Sequence, residues 1–211
     1  MKLMGELLSS RLVAIVRGIT RDEARVAGAG LAAGGVKLME VTMNTEGALD
    51  IIHDWRSLYN GQARIGAGTV LNVKMAEEAI SAGAEFLISP NVDLHVIRYA
   101  IEQGIDIWPG AMTPTEIVTA FHAGAEAVKL FPMASLGLGY LREIRAPLNH
   151  IPLIVTGGVS LQNIAEYYEA GASAVGIGIS LLPKDALAAG DATRIAESAR
   201  AFVQAAFKPN P

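Results

Sequence analysis

The chain has 211 residues, of which 51% are hydrophobic and 18% are charged, and its formal net charge is −4. This mildly acidic balance does not recruit nucleic acid or an anionic membrane, and the lack of cysteine excludes disulfides and a cysteine nucleophile. There is no long apolar core of a signal peptide and no apolar run as long as a bilayer span. We therefore expect a cytoplasmic protein that forms one domain over residues 1–211.

Short apolar runs alternate with amphipathic stretches along the chain. The pattern first predicts a short amphipathic helix over 1–9, with Leu3, Leu7 and Leu8 on one side. Eight buried strands are predicted, at 12–16, 37–42, 64–69, 85–90, 106–110, 127–132, 152–156 and 174–179. A helix is predicted after each strand, at 24–33, 46–58, 74–82, 94–103, 114–123, 140–146, 161–170 and 193–207.

Strands and helices that alternate at this spacing predict a parallel sheet with right-handed crossovers. Eight such units in about 200 residues favour an α/β fold, a single-domain (β/α)8 TIM barrel preceded by the short N-terminal helix. An open doubly wound sheet is the alternative, but the first helix lacks the G-x-G-x-x-G pattern that would support it. In a barrel, the carboxyl ends of the strands share one mouth, where active sites are built.

Two charged residues fall inside predicted strands rather than at their ends. Lys129 lies in the apolar run 127–132, and Glu40 lies in the strand 37–42. Burial disfavours the ammonium form of a lysine, and a neutral amine can attack a carbonyl to form a Schiff base. A structural ion pair in the barrel core is the alternative, although such a pair stabilises little. We expect a nucleophilic Lys129 with Glu40 as proton shuttle.

Glycine-rich turns follow the last two predicted strands. Gly157 and Gly158 come directly after the seventh strand, and Ser180 follows the glycines of the eighth. Loops at these two places in a barrel often bind phosphate through backbone N–H groups, and glycine lets the backbone approach the anion closely. Ordinary tight turns are the alternative explanation. The position of the glycines favours a phosphate site.

Six stretches taken together resemble the bacterial 2-keto-3-deoxy-6-phosphogluconate aldolases and their relatives that act on the 6-phosphogalactonate epimer or on 4-hydroxy-2-oxoglutarate. They are EVT at 40–42, GAGTV at 66–70, ISP at 88–90, PG at 109–110, VKLFP at 128–132 and TGG at 156–158. The resemblance covers nearly the whole chain. It implies a class I aldolase on a homotrimeric (β/α)8 barrel, with no metal and no cofactor, whose small-molecule partners are a phosphorylated keto acid and pyruvate.

The resemblance also implies roles for individual residues. Lys129 would be the Schiff-base lysine, and Glu40 would be the acid and base. Thr69 would lie near the carboxylate of pyruvate, and Pro90 and Phe131 would line the pocket. The phosphate would bind at Gly157, Gly158 and Ser180.

The chain departs from the commonest family pattern at two positions. Asn44 stands in the substrate site where many gluconate-type members have arginine, and Ile179 separates Gly178 from Ser180 where many members have two adjacent glycines. Arg17 follows the first strand, as in one branch of the family that includes galactonate-type members. We expect Arg17 to make the carboxylate contact that the missing arginine would have made.

Three other functions stay open at this point. One is aldol cleavage of 4-hydroxy-2-oxoglutarate, and another is a phosphosugar isomerase or epimerase that uses Glu40 as base and Lys129 only as a charge. A non-catalytic barrel that binds or assembles is the third. A lysine and a glutamate inside strands have no use in such a scaffold, so we favour the aldolase.

Overall fold

The computed structural model describes residues 3–207. The strands are β1 (Leu12–Val16), β2 (Leu38–Thr42), β3 (Arg64–Gly68), β4 (Phe86–Ile88), β5 (Asp106–Trp108), β6 (Gly110–Ala111), β7 (Val128–Leu130), β8 (Leu153–Thr156) and β9 (Ala174–Ile177). The helices are α1 (Met4–Ser10), α2 (Arg21–Ala33), α3 (Ala48–Leu58), α4 (Val73–Ser81), α5 (Leu94–Glu102), α6 (Pro114–His122), α7 (Met133–Arg145), α8 (Ile164–Glu169), α9 (Lys184–Ala188) and α10 (Ala192–Ala205). No helix within this part of the chain is long and apolar enough to cross a membrane.

The strands form one sheet in the order β5-β4-β3-β2-β1-β9-β8-β7-β6. The pairing is parallel throughout. The first strand, β1, pairs with β2 on one side and with the last strand, β9, on the other. This architecture confirms the predicted (β/α)8 barrel with a short N-terminal helix. The open doubly wound sheet, which was the alternative to the barrel, is wrong.

The fifth predicted strand, 106–110, is divided in two. Its first part, β5, pairs with β4, and its second part, β6, pairs with β7. Pro109 lies between them, and proline has no N–H to donate to a sheet ladder. The prediction of eight continuous strands is therefore wrong at this point, although the eight-unit barrel is retained.

Two helices differ most from the sequence-based prediction. Helix α7 begins at Met133 rather than at 140, and its helical path is interrupted at Gly137, which has φ 76° and ψ 172°. The first part of this helix was not predicted because it contains Gly137 and Gly139, and glycine disfavours a helix interior. The five-residue α9 was not predicted, since it is too short to show a periodic apolar pattern.

An apolar cluster fills the lower half of the barrel. Alternate residues of the strands point inward and supply most of it, as the period of two requires. The cluster consists of Leu3, Leu7, Val13, Leu38, Phe86, Ile88, Trp108, Ala127, Ile154 and Ala174. The rings of Phe86 and Trp108 are fully buried in it and stack with centroids 4.8 Å apart.

Helix α1 closes the amino-terminal end of the barrel. Leu3 and Leu7 belong to the apolar cluster inside it, and the backbone N–H of Leu3 donates to the carboxylate of Asp106 at the start of β5. Arg64 at the start of β3 pairs with Glu6 of the helix at 2.9 Å. The expectation that Leu8 shares the apolar side is wrong, because Leu8 is 48% exposed while Leu7 is fully buried.

We predict that Leu7→Ala destabilises the protein by about 2–4 kcal/mol, because it leaves a cavity under the barrel core. Leu8→Ala is the matched control on the same helix and should change the free energy of unfolding by less than about 0.5 kcal/mol. Urea unfolding of the two variants measures both values. Equal losses would contradict the closure of the barrel by Leu7.

Candidate active site

Polar side chains line the lumen two residues further along the strands than the apolar cluster. The residue two positions beyond an inward-facing strand residue also faces inward, so Glu40 follows Leu38 and Lys129 follows Ala127. By the same rule, Thr156 follows Ile154. All three polar side chains are buried, with exposed fractions of 0% for Glu40, 4% for Lys129 and 6% for Thr156. Charged groups are rarely buried to this extent without a partner or a function.

Glu40 lies in a space that only a glycine can leave open. A Cβ atom at Gly68 on the neighbouring strand would lie 1.6 Å from Oε1 of Glu40. No described residue donates a hydrogen bond to either carboxylate oxygen. Burial raises the pKa of Glu40 above its ordinary value, while the positive charges of Lys129 and Arg17 oppose that rise. The carboxylate is thus available to take and return protons.

Lys129 lies on the opposite part of the barrel, in the middle of β7. Its strand neighbours are Gly110 on β6 and Ile154 on β8, and its backbone N–H donates to the carbonyl of Pro109 at 2.8 Å. Its Nζ atom lies 5.4 Å from the ring centroid of Phe131. The sequence predicted a buried run over 127–132. Phe131 is instead 37% exposed, so the continuously buried part ends at Leu130.

Arg17 and Thr69 meet at the mouth of the barrel. Nη2 of Arg17 donates to Oγ1 of Thr69 at 3.2 Å. Thr69 has φ +58°, a left-handed conformation that costs a non-glycine residue about 1–2 kcal/mol. The loop after β1 is fixed beside it, because the N–H of Gly18 donates to Oγ1 of Thr45 at 3.0 Å. Strained backbone of this kind clusters at functional sites.

A cavity of about 540 Å³ opens above these groups. Arg17, Phe131, Gly157, Gly158 and Ser180 lie in its wall, so the structure brings together five of the residues that the sequence singled out. Glu40 and Lys129 are not part of the wall, but each is next to a residue that is. Glu40 pairs with Ile15 across the strands, and Nζ of Lys129 lies near the ring of Phe131.

The remaining predicted binding residues lie outside the cavity wall. Thr69 touches it only through Arg17. Pro90 packs on the start of β6, where its carbonyl oxygen is 2.4 Å from the place a Cβ of Gly110 would occupy. Asn44 is exposed in the loop after β2 and is not brought to the cavity.

Sequence reasoning gave no role to two polar residues of the cavity wall, Thr156 and Lys184. No described residue hydrogen-bonds Oγ1 of Thr156, which is buried at the inner end of the cavity. Thr156 belongs to the TGG stretch, and its position directly before the two glycines could have identified it as a residue of the cavity wall. Lys184 begins the unpredicted helix α9, so no sequence pattern pointed to it. Ile179 also lies in the wall and is 78% exposed.

The family model and the curated relatives agree on one family. The family model described as KDPG and KHG aldolase matches residues 4–198. The 2-dehydro-3-deoxy-6-phosphogalactonate aldolase of Escherichia coli strain K12 is 36% identical over 199 residues, which cover 92% of this chain and 93% of that protein. The KHG/KDPG aldolase of the same strain is 39% identical over 180 residues, which cover 83% of each chain.

A solved structure shares the fold. The KDPG aldolase from Legionella pneumophila, with pyruvate captured at low pH as a covalent carbinolamine intermediate, gives a TM-score of 0.83 at 25% identity and covers 92% of this chain and 95% of its own. The family match spans nearly all of the described residues, and the relatives align over most of their length. The chain therefore belongs to the KDPG and KHG aldolase family.

Proposed function

We propose that the protein is a class I aldolase that cleaves 2-keto-3-deoxy-6-phosphogluconate or its 6-phosphogalactonate epimer to pyruvate and glyceraldehyde 3-phosphate. The observation that carries the proposal is a buried lysine, Lys129, that shares the lumen with the unpartnered carboxylate of Glu40. Membership of an aldolase family supports a carbon–carbon lyase. The covalent adduct in the relative from Legionella pneumophila supports the lysine route.

The proposed reaction begins when the neutral amine of Lys129 attacks the C2 ketone. Loss of water, with a proton supplied by Glu40, gives a protonated imine that can accept an electron pair. Glu40 then removes the proton of the C4 hydroxyl, and the C3–C4 bond breaks. Its electron pair moves into the imine to form an enamine, and the aldehyde leaves.

The second half of the reaction regenerates the enzyme. Glu40 returns a proton to C3, and water hydrolyses the imine to release pyruvate from Lys129. A single carboxylate serves every step because each proton that it takes is later given back. Since the iminium supplies the polarisation that a metal cation would otherwise supply, this route needs no metal.

We propose that two ends of the substrate are held by different residues. Arg17 and Thr69 would bind the C1 carboxylate, which a guanidinium contacts through two parallel hydrogen bonds. Gly157 and Gly158 would present backbone N–H groups to the phosphate, with Ser180 beside them. Both glycines have positive φ, 103° and 74°, and both line the cavity together with Arg17. These contacts would fix the reacting carbon over Lys129.

Pro90 and Phe131 are proposed as apolar neighbours of the pyruvate half. Phe131 supports this role because it lines the cavity and its ring centroid is 5.4 Å from Nζ of Lys129. Asn44 is exposed outside the cavity wall, so its place in the substrate site stays a prediction from the sequence. The proposed homotrimer and the cytoplasmic location rest on the family resemblance and on the sequence composition.

The enzyme should release pyruvate from at least one of the two phosphorylated epimers, without inhibition by EDTA. Borohydride added together with pyruvate should trap a covalent adduct on Lys129. We expect Lys129→Met to abolish the adduct and to lower kcat by at least about 10³-fold, because the covalent route is lost. Mass spectrometry of peptides and a coupled pyruvate assay measure the two effects.

Lys74→Met is the control for this change, because Lys74 is an exposed lysine whose side chain is 82% accessible. It should leave both the adduct and the rate unchanged. An assay with 4-hydroxy-2-oxoglutarate beside the two phosphorylated acids ranks the three substrates. If Lys129→Met keeps wild-type activity, the Schiff-base mechanism is wrong.

The raised pKa of Glu40 predicts a pH-dependent cost in stability. The folded protein holds this proton more tightly than the unfolded chain does, so stability falls as pH rises from the ordinary value of 4.5 through the raised pKa of Glu40. Glu40→Gln does not titrate. Its stability relative to wild type should therefore increase as pH rises above the ordinary pKa of 4.5, while its kcat falls by about 10²–10⁴-fold.

Urea unfolding at several pH values measures the stability difference. Glu77→Gln, a change at an exposed position of α4, is the control and should show no such trend. A difference between Glu40→Gln and wild type that is independent of pH would contradict the buried, proton-holding carboxyl group.

We predict that Arg17→Ala weakens pyruvate binding by about 10- to 100-fold, since a charge-assisted hydrogen bond contributes about 1.5–3 kcal/mol. The concentration of pyruvate that gives half-maximal borohydride labelling measures the affinity. Arg25→Ala, at a surface arginine whose side chain is 71% accessible, is the control. Unchanged affinity in Arg17→Ala would refute the assignment of the carboxylate to this residue.

A further inference from the structure

Lys184 lies in the wall of the active-site cavity and has no role in the mechanism above. It is the first residue of α9, which follows β9 through a loop that carries Ile179 and Ser180. The helix is fixed on both sides of the lysine, because Leu182 and Leu187 are 5% and 7% exposed and also face the cavity. The backbone that presents Lys184 is therefore anchored in the core, although its side chain is exposed.

The neighbouring carboxylates are occupied by other partners. Asp185 pairs with Arg194 at 2.6 Å, and this contact lowers the pKa of Asp185. Glu23, the acidic residue of the cavity wall, accepts hydrogen bonds from the N–H and the hydroxyl of Thr20 at 2.8 and 3.0 Å. Among residues 3–207, no ion pair or hydrogen bond engages the ammonium group of Lys184. Its charge is free to meet an anion in the cavity.

The cavity therefore carries two cations, and a phosphorylated keto acid carries two anionic ends. Arg17 is fixed near the lumen by its bond to Thr69. Lys184 shares the wall with Gly157, Gly158 and Ser180, where the phosphate is proposed to bind. The charges of the wall thus match a substrate with a carboxylate at one end and a phosphate at the other.

We propose that Lys184 is a specificity-determining residue whose ammonium group binds the terminal phosphate of the substrate. The inference rests on the proposed function and deepens it by naming the residue that selects phosphorylated acids. A lysine binds phosphate as a compact point charge that can follow the oxygens from a flexible side chain. It complements the backbone N–H groups, which fix direction but carry no net charge.

The proposal distinguishes a substrate with a terminal phosphate from one with a second carboxylate. In a six-carbon substrate the phosphate lies beyond C6, whereas in 4-hydroxy-2-oxoglutarate the second carboxylate is C5 itself, directly bonded to C4. An anion so close to the reacting bond does not extend to the outer wall of the cavity. Lys184 should therefore affect the phosphorylated acids and leave the shorter acid unaffected.

The test compares Lys184→Met, which keeps the side chain as far as Cε and removes the charged amine, with Lys184→Arg, which keeps the charge. For the phosphorylated acid that wild type cleaves, we expect Lys184→Met to raise KM by about tenfold, with kcat within about twofold. Lys184→Arg should restore KM to within about threefold. Lys74→Met is the control at an exposed, distant lysine and should match wild type.

Two further measurements separate phosphate binding from a structural effect. Inhibition by inorganic phosphate should weaken in Lys184→Met, and the increase in KM should shrink at high salt because the contact is exposed and therefore screened. Borohydride labelling with pyruvate, which has no phosphate, should be unchanged. Equal effects on 4-hydroxy-2-oxoglutarate and on the phosphorylated acids would show a structural role and overturn the proposal.

The failure of this inference is distinguishable from the failure of the proposed function. If wild type cleaves a phosphorylated acid and Lys184→Met keeps the same KM and the same inhibition by phosphate, only the role of Lys184 is wrong. If wild type cleaves neither phosphorylated epimer, both the substrate assignment and the role of Lys184 are overturned.

Discussion

A carboxylate buried without a hydrogen-bond donor is the constraint on which the rest of the site depends. An isolated buried charge is costly, so Glu40 holds a proton more readily than an exposed glutamate, and its pKa is raised. Lys129 and Arg17 counter that cost with their positive charges. Burial therefore favours the protonated form of Glu40, and the two cations favour its carboxylate. The contact of Glu40 with Gly68 makes the same constraint steric, since any side chain at that position would occupy the space of the carboxylate.

The apolar lower half of the barrel makes this arrangement possible. Strand β3 shows the boundary between the apolar and polar layers, because different side chains pack against its two inward-facing glycines. A Cβ at Gly66 would lie 2.3 Å from the ring of Phe86, and a Cβ at Gly68 would collide with Glu40. The lower glycine thus admits the aromatic packing that stabilises the barrel, and the upper glycine admits the acid. The apolar packing and the polar groups thus occupy successive layers of one lumen, and Leu3 and Leu7 at helix α1 pack into the lower layer.

The sequence was sufficient for the barrel but not for the direction of every side chain. All five residues of β1 are buried, because helices cover the outside of the sheet and side chains fill the inside. A period of two is therefore invisible in such strands, and only charges such as Glu40 and Lys129 mark the inward face. The break at Pro109 follows from the missing N–H of proline, which the sequence did contain. The placement of Lys184 depends on how the loop after β9 folds back over the cavity, and no local pattern encodes that tertiary contact.

The location of each residue separates the proposed chemistry from substrate selection. Glu40 and Lys129 lie on β2 and β7, where neighbouring strands fix them on both sides. Arg17, Ile179 and Lys184 lie on segments that follow β1 and β9, outside the strands of the sheet. A family built in this way can keep one bond-breaking step and change the acid that it accepts. Relatives named for different keto acids are accordingly similar in identity to this chain, so overall identity does not rank the substrates. Under the proposed function, the residues of the cavity wall would do so, and this wall carries both the exposed, apolar Ile179 and the positively charged Lys184.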